Sequence, residues 1–348
     1  MANYSWKHAE ELKQTAQSMV ANHKGVLAAD ESNNTATKRL KEVGIDSTED
    51  SRRKYRQLLF TAPDIDNYIS GVILYDETIR QADDNGKPFP ELLKSRGIVP
   101  GIKVDTGAKP LAGSPEEKVT EGLDGLRERL AEYYNMGARF SKWRAVITIG
   151  DGMPTRQCIE ANAHALARYA ALCQENGLVP IVEPEVLING SHDIETCEAV
   201  TEENLRTVFN ELYRQNVMFE GTVLKTSMVI SGLDAPNRAG VEEVADRTVQ
   251  TLERVVPPAL GGVVFLSGGQ GDVEATQHLD VMNKKYKNRV PWRMTFSYAR
   301  ALQNPALGTW GSDMANTEAA QKAFAFRAKL NSLASEGEYS EDMESKAA

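Results

Sequence analysis

Lysines and carboxylates end several short apolar segments of this chain, and together they suit carbonyl chemistry. Lys225 follows Thr-Val-Leu, and Lys142 follows Arg-Phe-Ser. We expect burial and a neighbouring cation to disfavour the charged form of Lys225, and a neutral amine attacks a ketone to form an imine. Glu183 and Glu185 are two residues apart, so they share one face of a strand as a proton-transfer pair. Asp30 would accept a proton from a substrate hydroxyl as a carbon–carbon bond breaks.

Each of these residues also has a structural interpretation. A lysine at the end of a strand often faces solvent, and Glu183 could be one half of a buried salt bridge that fixes the lysines. Asp30 could simply cap the short helix that follows, and so could Ser32, which is also a candidate phosphate-binding residue. Three lysines and three carboxylates on converging strand ends favour the chemical interpretation.

A glycine-rich segment and nearby cations form a second group, suited to anions. Ser267 is followed by Gly268 and Gly269, whose backbone N–H groups can approach a phosphate closely. Ser297 and Arg300 belong to a later segment, and an arginine binds phosphate with two parallel hydrogen bonds. The basic residues predicted to serve a second anion are Lys38, Arg39, Lys103 and Arg144. For Lys38 and Arg39 a solvated helix face is an alternative.

Eight apolar segments must position these side chains. Segments buried on both faces are typical of parallel strands, and the longer stretches between most of them suit helices. This alternation predicts an α/β fold, a (β/α)₈ TIM barrel, whose strand ends converge on one site. The predicted strands are residues 26–30, 71–75, 98–103, 138–142, 179–183, 222–225, 263–267 and 293–297. We also predict an N-terminal helix over 5–24 and a helix over 114–136, where Ser-Pro-Glu-Glu resembles a capping box.

Length, charge and composition limit the class of protein. We predict one catalytic domain over residues 1–337 and a mobile acidic tail over 338–348. The 348 residues carry 40 basic and 49 acidic side chains, a net charge of −9 that argues against nucleic-acid partners. No apolar run reaches the length of a membrane span, and the N-terminus lacks a signal-peptide core, so we expect a cytoplasmic protein. Scattered histidines and the absence of a phosphate-loop or dinucleotide motif predict no metal and no cofactor.

Six segments of the chain match a known family in the same order. The chain resembles class I fructose-1,6-bisphosphate aldolase over about residues 3–334. The resemblance implies reversible, metal-independent cleavage of a sugar bisphosphate to dihydroxyacetone phosphate and glyceraldehyde 3-phosphate, with sugar phosphates as ligands and a homotetramer as the assembly. The matching segments are Gly-Val-Leu-Ala-Ala-Asp-Glu-Ser (25–32), Gly-Ile-Lys-Val-Asp (101–105), Phe-Ser-Lys-Trp-Arg (140–144), Ile-Val-Glu-Pro-Glu-Val-Leu (181–187), Phe-Leu-Ser-Gly-Gly-Gln (265–270) and Thr-Phe-Ser-Tyr-Ala-Arg-Ala-Leu (295–302).

The resemblance also implies a role for each matching residue. Lys225 would form the imine, with Glu183 as its acid and base and Glu185 beside it. Asp30 would take the proton of the C4 hydroxyl, and Lys142 would orient the substrate hydroxyls. The C1 phosphate would contact Ser267, Gly268 and Arg300, and the C6 phosphate Arg39, Lys103 and Arg144.

Three features depart from animal members of this family. Those members end in a tyrosine that moves the enamine proton, whereas this chain ends Ser-Lys-Ala-Ala and has its last aromatic residue at Tyr339. Thr226-Ser227 replaces Pro-Asn, and Ala299 replaces a glycine. The alternatives are another imine-forming barrel lyase, specific for a singly phosphorylated sugar, and a catalytically silent sugar-phosphate-binding protein on the same barrel.

Overall fold

Eight parallel strands close into a barrel, which confirms the predicted fold. The computed structural model describes residues 6–311 and 314–346. The strands in chain order are β1 (Gly25–Ala28), β2 (Ile69–Leu74), β3 (Val99–Lys103), β4 (Gly107–Leu111), β5 (Ser114–Glu121), β6 (Phe140–Ile147), β7 (Val179–Val186), β8 (Val223–Thr226), β9 (Gly262–Phe265) and β10 (Met294–Tyr298). Around the barrel the order is β1-β10-β9-β8-β7-β6-β3-β2, and β4 and β5 form a separate two-stranded sheet.

Helices surround the barrel and cover the outer face of its strands. They are α1 (Ala9–Met19), α2 (Asn33–Glu42), α3 (Glu49–Phe60), α4 (Asp76–Ile79), α5 (Phe89–Ser95), α6 (Leu126–Asn135), α7 (Arg156–Glu175), α8 (Ile194–Arg214), α9 (Val241–Val255), α10 (Asp272–Tyr286), α11 (Arg300–Trp310) and α12 (Thr317–Ala334). The predicted N-terminal helix corresponds to α1, although residue 5 lies outside the described part of the chain. Among the described residues, no helix combines the length and apolar character needed to cross a bilayer.

The barrel interior is filled by small and branched side chains from alternate positions of the strands. Val26, Ile73, Val179 and Val264 belong to this cluster, and all four are fully buried. Side chains of α1 join it from the N-terminal end of the barrel; they are Leu12, Ala16 and Met19. The N-terminal end is therefore packed shut, and the polar strand ends face the opposite opening.

The register of the strands brings the predicted polar residues together. Lys103 of β3 lies beside Lys142 of β6. Arg144 of β6 in turn lies beside Glu183 of β7. Because side chains alternate along a strand, Lys142 and Arg144 point to the same side, as do Glu183 and Glu185. The sheet alone thus places these five charged groups at one end of the barrel.

The prediction of a helix over residues 114–136 is wrong in its first half. Residues 114–121 form β5, which pairs antiparallel with β4, and the helix begins only at Leu126. The Ser114 hydroxyl does donate to Glu117, over 2.8 Å, as a capping box would suggest. However, Glu117 is fully buried and also accepts the backbone N–H of Thr155 over 2.7 Å. This long-range contact outweighs local helix propensity.

The tail after Gly337 packs against α10 and α12 over its described residues. The Tyr339 side chain is 3% exposed, and its backbone N–H donates to Asp280 over 3.0 Å. Glu344 accepts two hydrogen bonds from the buried Arg327 guanidinium, over 2.7 and 2.6 Å. The segment has defined contacts, and its mobility stays a prediction. Residues 347–348 lie outside the described part of the chain.

We expect Glu344→Ala to lower the free energy of unfolding by about 2–3 kcal/mol, because it leaves a buried guanidinium without its carboxylate. Urea denaturation of the whole protein measures this loss. Glu341→Ala is the matched control, since Glu341 is an exposed carboxylate in the same tail. Equal losses in both variants would show that the contact with Arg327 contributes nothing specific.

Candidate active site

A polar cavity of about 330 Å³ opens at the C-terminal ends of the barrel strands. Every predicted site residue except Lys38, Arg39 and Gly269 lines it. The predicted residues that line the cavity are Asp30, Ser32, Lys103, Lys142, Arg144, Glu183, Glu185, Lys225, Ser267, Gly268, Ser297 and Arg300. Residues spread over some 270 positions of sequence therefore share one wall, as the barrel predicts.

Lys225 and Glu183 form the centre of the cavity. The Lys225 Nζ lies 3.1 Å from Glu183 Oε1, and both side chains are about 95% buried. Lys225 is the third residue of β8, with the apolar Val223 and Leu224 before it. Glu183 therefore stands where it can take the proton that the lysine must lose before its amine attacks a carbonyl carbon.

Lys142 links Glu183 to Asp30. Its Nζ lies 2.7 Å from Asp30 Oδ2 and 3.4 Å from Glu183 Oε2, and its side chain is buried. Burial disfavours the charged form of Lys142, but the carboxylates of Asp30, Glu183 and Asp105 outweigh it and raise the pKa of Lys142 above its usual range. Lys142 is therefore held as a cation between two carboxylates.

Asp30 is held as a carboxylate by the same cations. Burial would raise its pKa, but the charges of Lys142, Lys225 and Lys103, with the hydrogen bond from Lys142, lower it to about 2. A carboxylate with so low a pKa accepts a proton only from a group that becomes strongly acidic during the reaction, such as a hydroxyl that turns into a carbonyl as the neighbouring bond breaks. The environment suits a base that acts late in a reaction.

Glu185 forms its ion pair with an arginine rather than with a lysine. The Arg144 Nε lies 2.5 Å from Glu185 Oε2. Burial lowers the pKa of Arg144, but Glu185, Glu183 and Asp105 raise it above its usual range. Glu185 thus holds a cation at the cavity wall, while Glu183, two residues earlier, faces the reactive lysine.

The segment after β9 presents backbone and hydroxyl groups to the cavity. Gly268 and Gly269 have φ angles of +40° and +93°, a left-handed conformation that residues with a Cβ rarely adopt. Ser267 and Gly268 line the cavity, whereas Gly269 turns toward Ile188. Ser297 is 1% exposed, and its Oγ has no hydrogen-bond partner among the described residues. A buried free hydroxyl beside glycine N–H groups suits an anionic ligand.

Arg39 is not brought into the cavity. Its guanidinium pairs with Glu31 and donates to the Gln303 and Asn304 side chains over 3.1 Å each. Glu31 also lies 2.8 Å from the buried Arg56 guanidinium. In this structure Glu31 lines the cavity and Arg39 lies behind it.

Sequence reasoning missed two acidic residues of the wall, Glu31 and Asp105. Asp105 lies 2.9 Å from Lys103 Nζ and accepts the backbone N–H groups of Gly107 and Arg144 over 3.2 and 3.3 Å. Its position two residues after Lys103 was a usable signal, because such residues share a face. Glu31 directly follows Asp30, and neighbours in sequence normally point apart, so nothing local indicated it.

Comparison with known proteins decides the family. The family model for class-I fructose-bisphosphate aldolase matches residues 11–348. The chain belongs to the class-I fructose-bisphosphate aldolase family. This membership makes the protein a carbon–carbon lyase that cleaves fructose 1,6-bisphosphate to dihydroxyacetone phosphate and glyceraldehyde 3-phosphate.

Relatives of this aldolase match over nearly their whole length. The probable fructose-bisphosphate aldolase class 1 of Xanthomonas axonopodis pv. citri is 58% identical over 331 residues, covering 95% of this chain and 98% of the relative. The chloroplastic fructose-bisphosphate aldolase 3 of Arabidopsis thaliana is 52% identical, covering 97% and 85%. The Plasmodium falciparum aldolase, solved in complex with TRAP and an inhibitor, is 46% identical, with a TM-score of 0.95 and coverage of 97% and 98%.

Proposed function

We propose that the aldolase reaction of this protein proceeds through an imine on Lys225. The observation that supports this most is the buried contact of Lys225 with Glu183 at the centre of the cavity. The amine adds to the C2 ketone of the substrate, and Glu183 returns a proton to the hydroxyl that leaves as water. The protonated imine then draws electrons from the breaking C3–C4 bond.

Asp30 and Lys142 act in the cleavage step of this proposal. Asp30 takes the proton of the C4 hydroxyl, so that a C4 aldehyde forms while the C3–C4 electron pair moves into the enamine. Lys142 lies between Asp30 and Glu183, and its ammonium can donate to substrate hydroxyls and oppose the charge that develops there. The enamine takes up a proton, and water hydrolyses the imine to free the second product.

Two groups of donors suit the two phosphates. Ser267, Gly268, Ser297 and Arg300 line one part of the cavity, and Lys103 and Arg144 line another. We assign the first group to the C1 phosphate and the second to the C6 phosphate. Arg39 joins the second group only if it leaves Glu31.

Reductive trapping tests the proposal. Borohydride in the presence of dihydroxyacetone phosphate reduces the imine to a stable amine, and mass spectrometry then locates the added mass. We expect the adduct on Lys225, both with and without EDTA, because the Lys142 ammonium already pairs with the carboxylates of Asp30 and Glu183. An adduct on another lysine, or an adduct lost with EDTA and restored by zinc, would contradict this mechanism.

The location of this protein is a proposal from its sequence, and its assembly is a proposal from the resemblance. We infer a cytoplasmic homotetramer, although the relatives include proteins named both chloroplastic and cytosolic. Light scattering after size-exclusion chromatography measures the assembly, and a mass other than that of four chains rejects the tetramer.

A further inference from the structure

A buried side-chain pair lies directly behind the glycine-rich segment that follows β9. The ring Nδ1 of His278 lies 2.7 Å from Oε1 of Gln270. His278 belongs to α10 and is 1% exposed, and Gln270 is 9% exposed. Since an amide oxygen only accepts, Nδ1 must carry the hydrogen. The pair is thus a defined hydrogen bond, and neither side chain lines the cavity.

Gln270 also closes the turn that holds Ser267 and Gly268. Its backbone N–H donates to the Ser267 carbonyl over 2.8 Å. The positive φ angles of Gly268 and Gly269 lie inside this turn. The side chain of Gln270 therefore fixes one end of the segment whose other end faces the cavity.

The same side chain reaches toward the segment that carries Lys225. The amide Nε2 of Gln270 lies 3.6 Å from the sulfur of Met228, which is fully buried three residues after Lys225. A thioether is a weak acceptor, so the contact orients the amide rather than anchoring it strongly. With its oxygen on His278 and its nitrogen toward Met228, Gln270 spans from α10 to the end of β8.

Burial keeps His278 neutral. Desolvation lowers the pKa of His278 to about 4, opposed by the carboxylate of Glu274 and assisted by the Arg238 cation. A neutral ring donates a single hydrogen bond, and its orientation is fixed by where that hydrogen goes. The donor to Gln270 is therefore present across the neutral pH range.

We propose that His278 is a positioning residue for the C1 phosphate: through Gln270 it fixes the Ser267–Gly268 turn at a set distance from Lys225. This inference rests on the proposed function, because it assigns that turn to the phosphate nearer the imine. His278 touches no substrate, and its effect passes through the Gln270 amide. Lys103 and Arg144 are held instead by the carboxylates of Asp105 and Glu185.

The test separates the two triose phosphates. In His278→Leu we expect dihydroxyacetone phosphate to bind about tenfold more weakly, since a buried amide oxygen loses its donor. Glyceraldehyde 3-phosphate, placed at Lys103 and Arg144, should bind as in the wild type. The affinity for dihydroxyacetone phosphate comes from the fraction trapped by borohydride at increasing concentration, and that for glyceraldehyde 3-phosphate from calorimetric titration.

Two further variants make the result specific. In His278→Asn the amide nitrogen takes the place of Nδ1, so we expect affinity for dihydroxyacetone phosphate to return to within about threefold of the wild type. Asn283→Leu removes another buried polar side chain of α10, which donates to the Leu279 and Met294 carbonyls. It controls for general loss of stability and should leave both affinities unchanged.

Each outcome bears on one claim. If folded His278→Leu binds dihydroxyacetone phosphate normally, or loses both ligands equally, the positioning role is wrong. If Asn283→Leu shows the same selective loss, or His278→Asn restores nothing, the effect does not pass through the hydrogen bond to Gln270. Failure of the wild type to form an adduct on Lys225 would instead overturn the proposed mechanism.

Discussion

Turnover of fructose 1,6-bisphosphate falls by about 10⁵-fold or more when Lys225 is replaced by methionine, because no other amine replaces the nucleophile. Such a loss corresponds to about 7 kcal/mol of transition-state stabilisation. Methionine keeps the length of the side chain but cannot add to a ketone. Steady-state kinetics with coupled detection of the triose phosphates measures the loss.

This experiment needs two controls: a check that the Lys225→Met variant is folded, and a substitution of a lysine outside the site. Methionine at 225 also leaves Glu183 without the lysine nitrogen 3.1 Å away, so circular dichroism and urea denaturation must show a folded variant. Lys285→Met removes a lysine of α10 that pairs with Glu242 and Asp246 of α9 and does not line the cavity. It should keep wild-type turnover. Residual activity above about 1% in Lys225→Met would mean that another lysine forms the imine.

Asp30→Asn is expected to reduce turnover by about 10²–10⁴-fold while imine formation persists. Asparagine keeps the shape of the side chain but cannot take the C4 hydroxyl proton. Dihydroxyacetone phosphate lacks the bond that breaks, so borohydride should still trap it on Lys225 at a rate near that of the wild type. Glu183→Gln is the matched comparison, because it should slow the trapping itself. Equal trapping defects in both variants would contradict the separate roles.

Asp30→Asn should also change how the free energy of unfolding depends on pH. The folded pKa of Asp30, about 2, lies below its ordinary value of 3.8. Its contribution to stability is therefore present above about pH 4 and is lost as pH falls through 2, and it amounts to about 2 kcal/mol. Asp30→Asn should lack this part of the acid dependence. Unfolding free energies between pH 6 and 2.5 measure it, and parallel curves for both proteins would rule it out.

The barrel was predictable because its strands have a simple pattern. A strand covered on both faces must be apolar, so segments such as Val223–Thr226 are visible without any knowledge of their partners. The polar residue at each strand end was then assigned to one site by topology alone. The central contacts of Lys225 with Glu183 and of Lys142 with Asp30 followed from this placement.

The errors arose where long-range contacts decide the local structure. The Ser114–Glu121 segment has helix-forming residues, but its pairing with β4 and the buried contact of Glu117 with Thr155, the N-cap of α7, favour the strand. Arg39 has the right charge for a phosphate, but its position depends on Glu31 and on Gln303, which is 264 residues away. Neither partner is visible in a local pattern.

The packing of α1 beneath the barrel determines how ligands pass. Its side chains Leu12, Ala16 and Met19 fill the end of the barrel opposite the site. Within the described residues the cavity is therefore closed at its base and open only at the C-terminal ends of the strands. Both trioses must leave through the opening by which the hexose entered. The fragment still bound covalently at the bottom departs last, so the free aldehyde is the first product released.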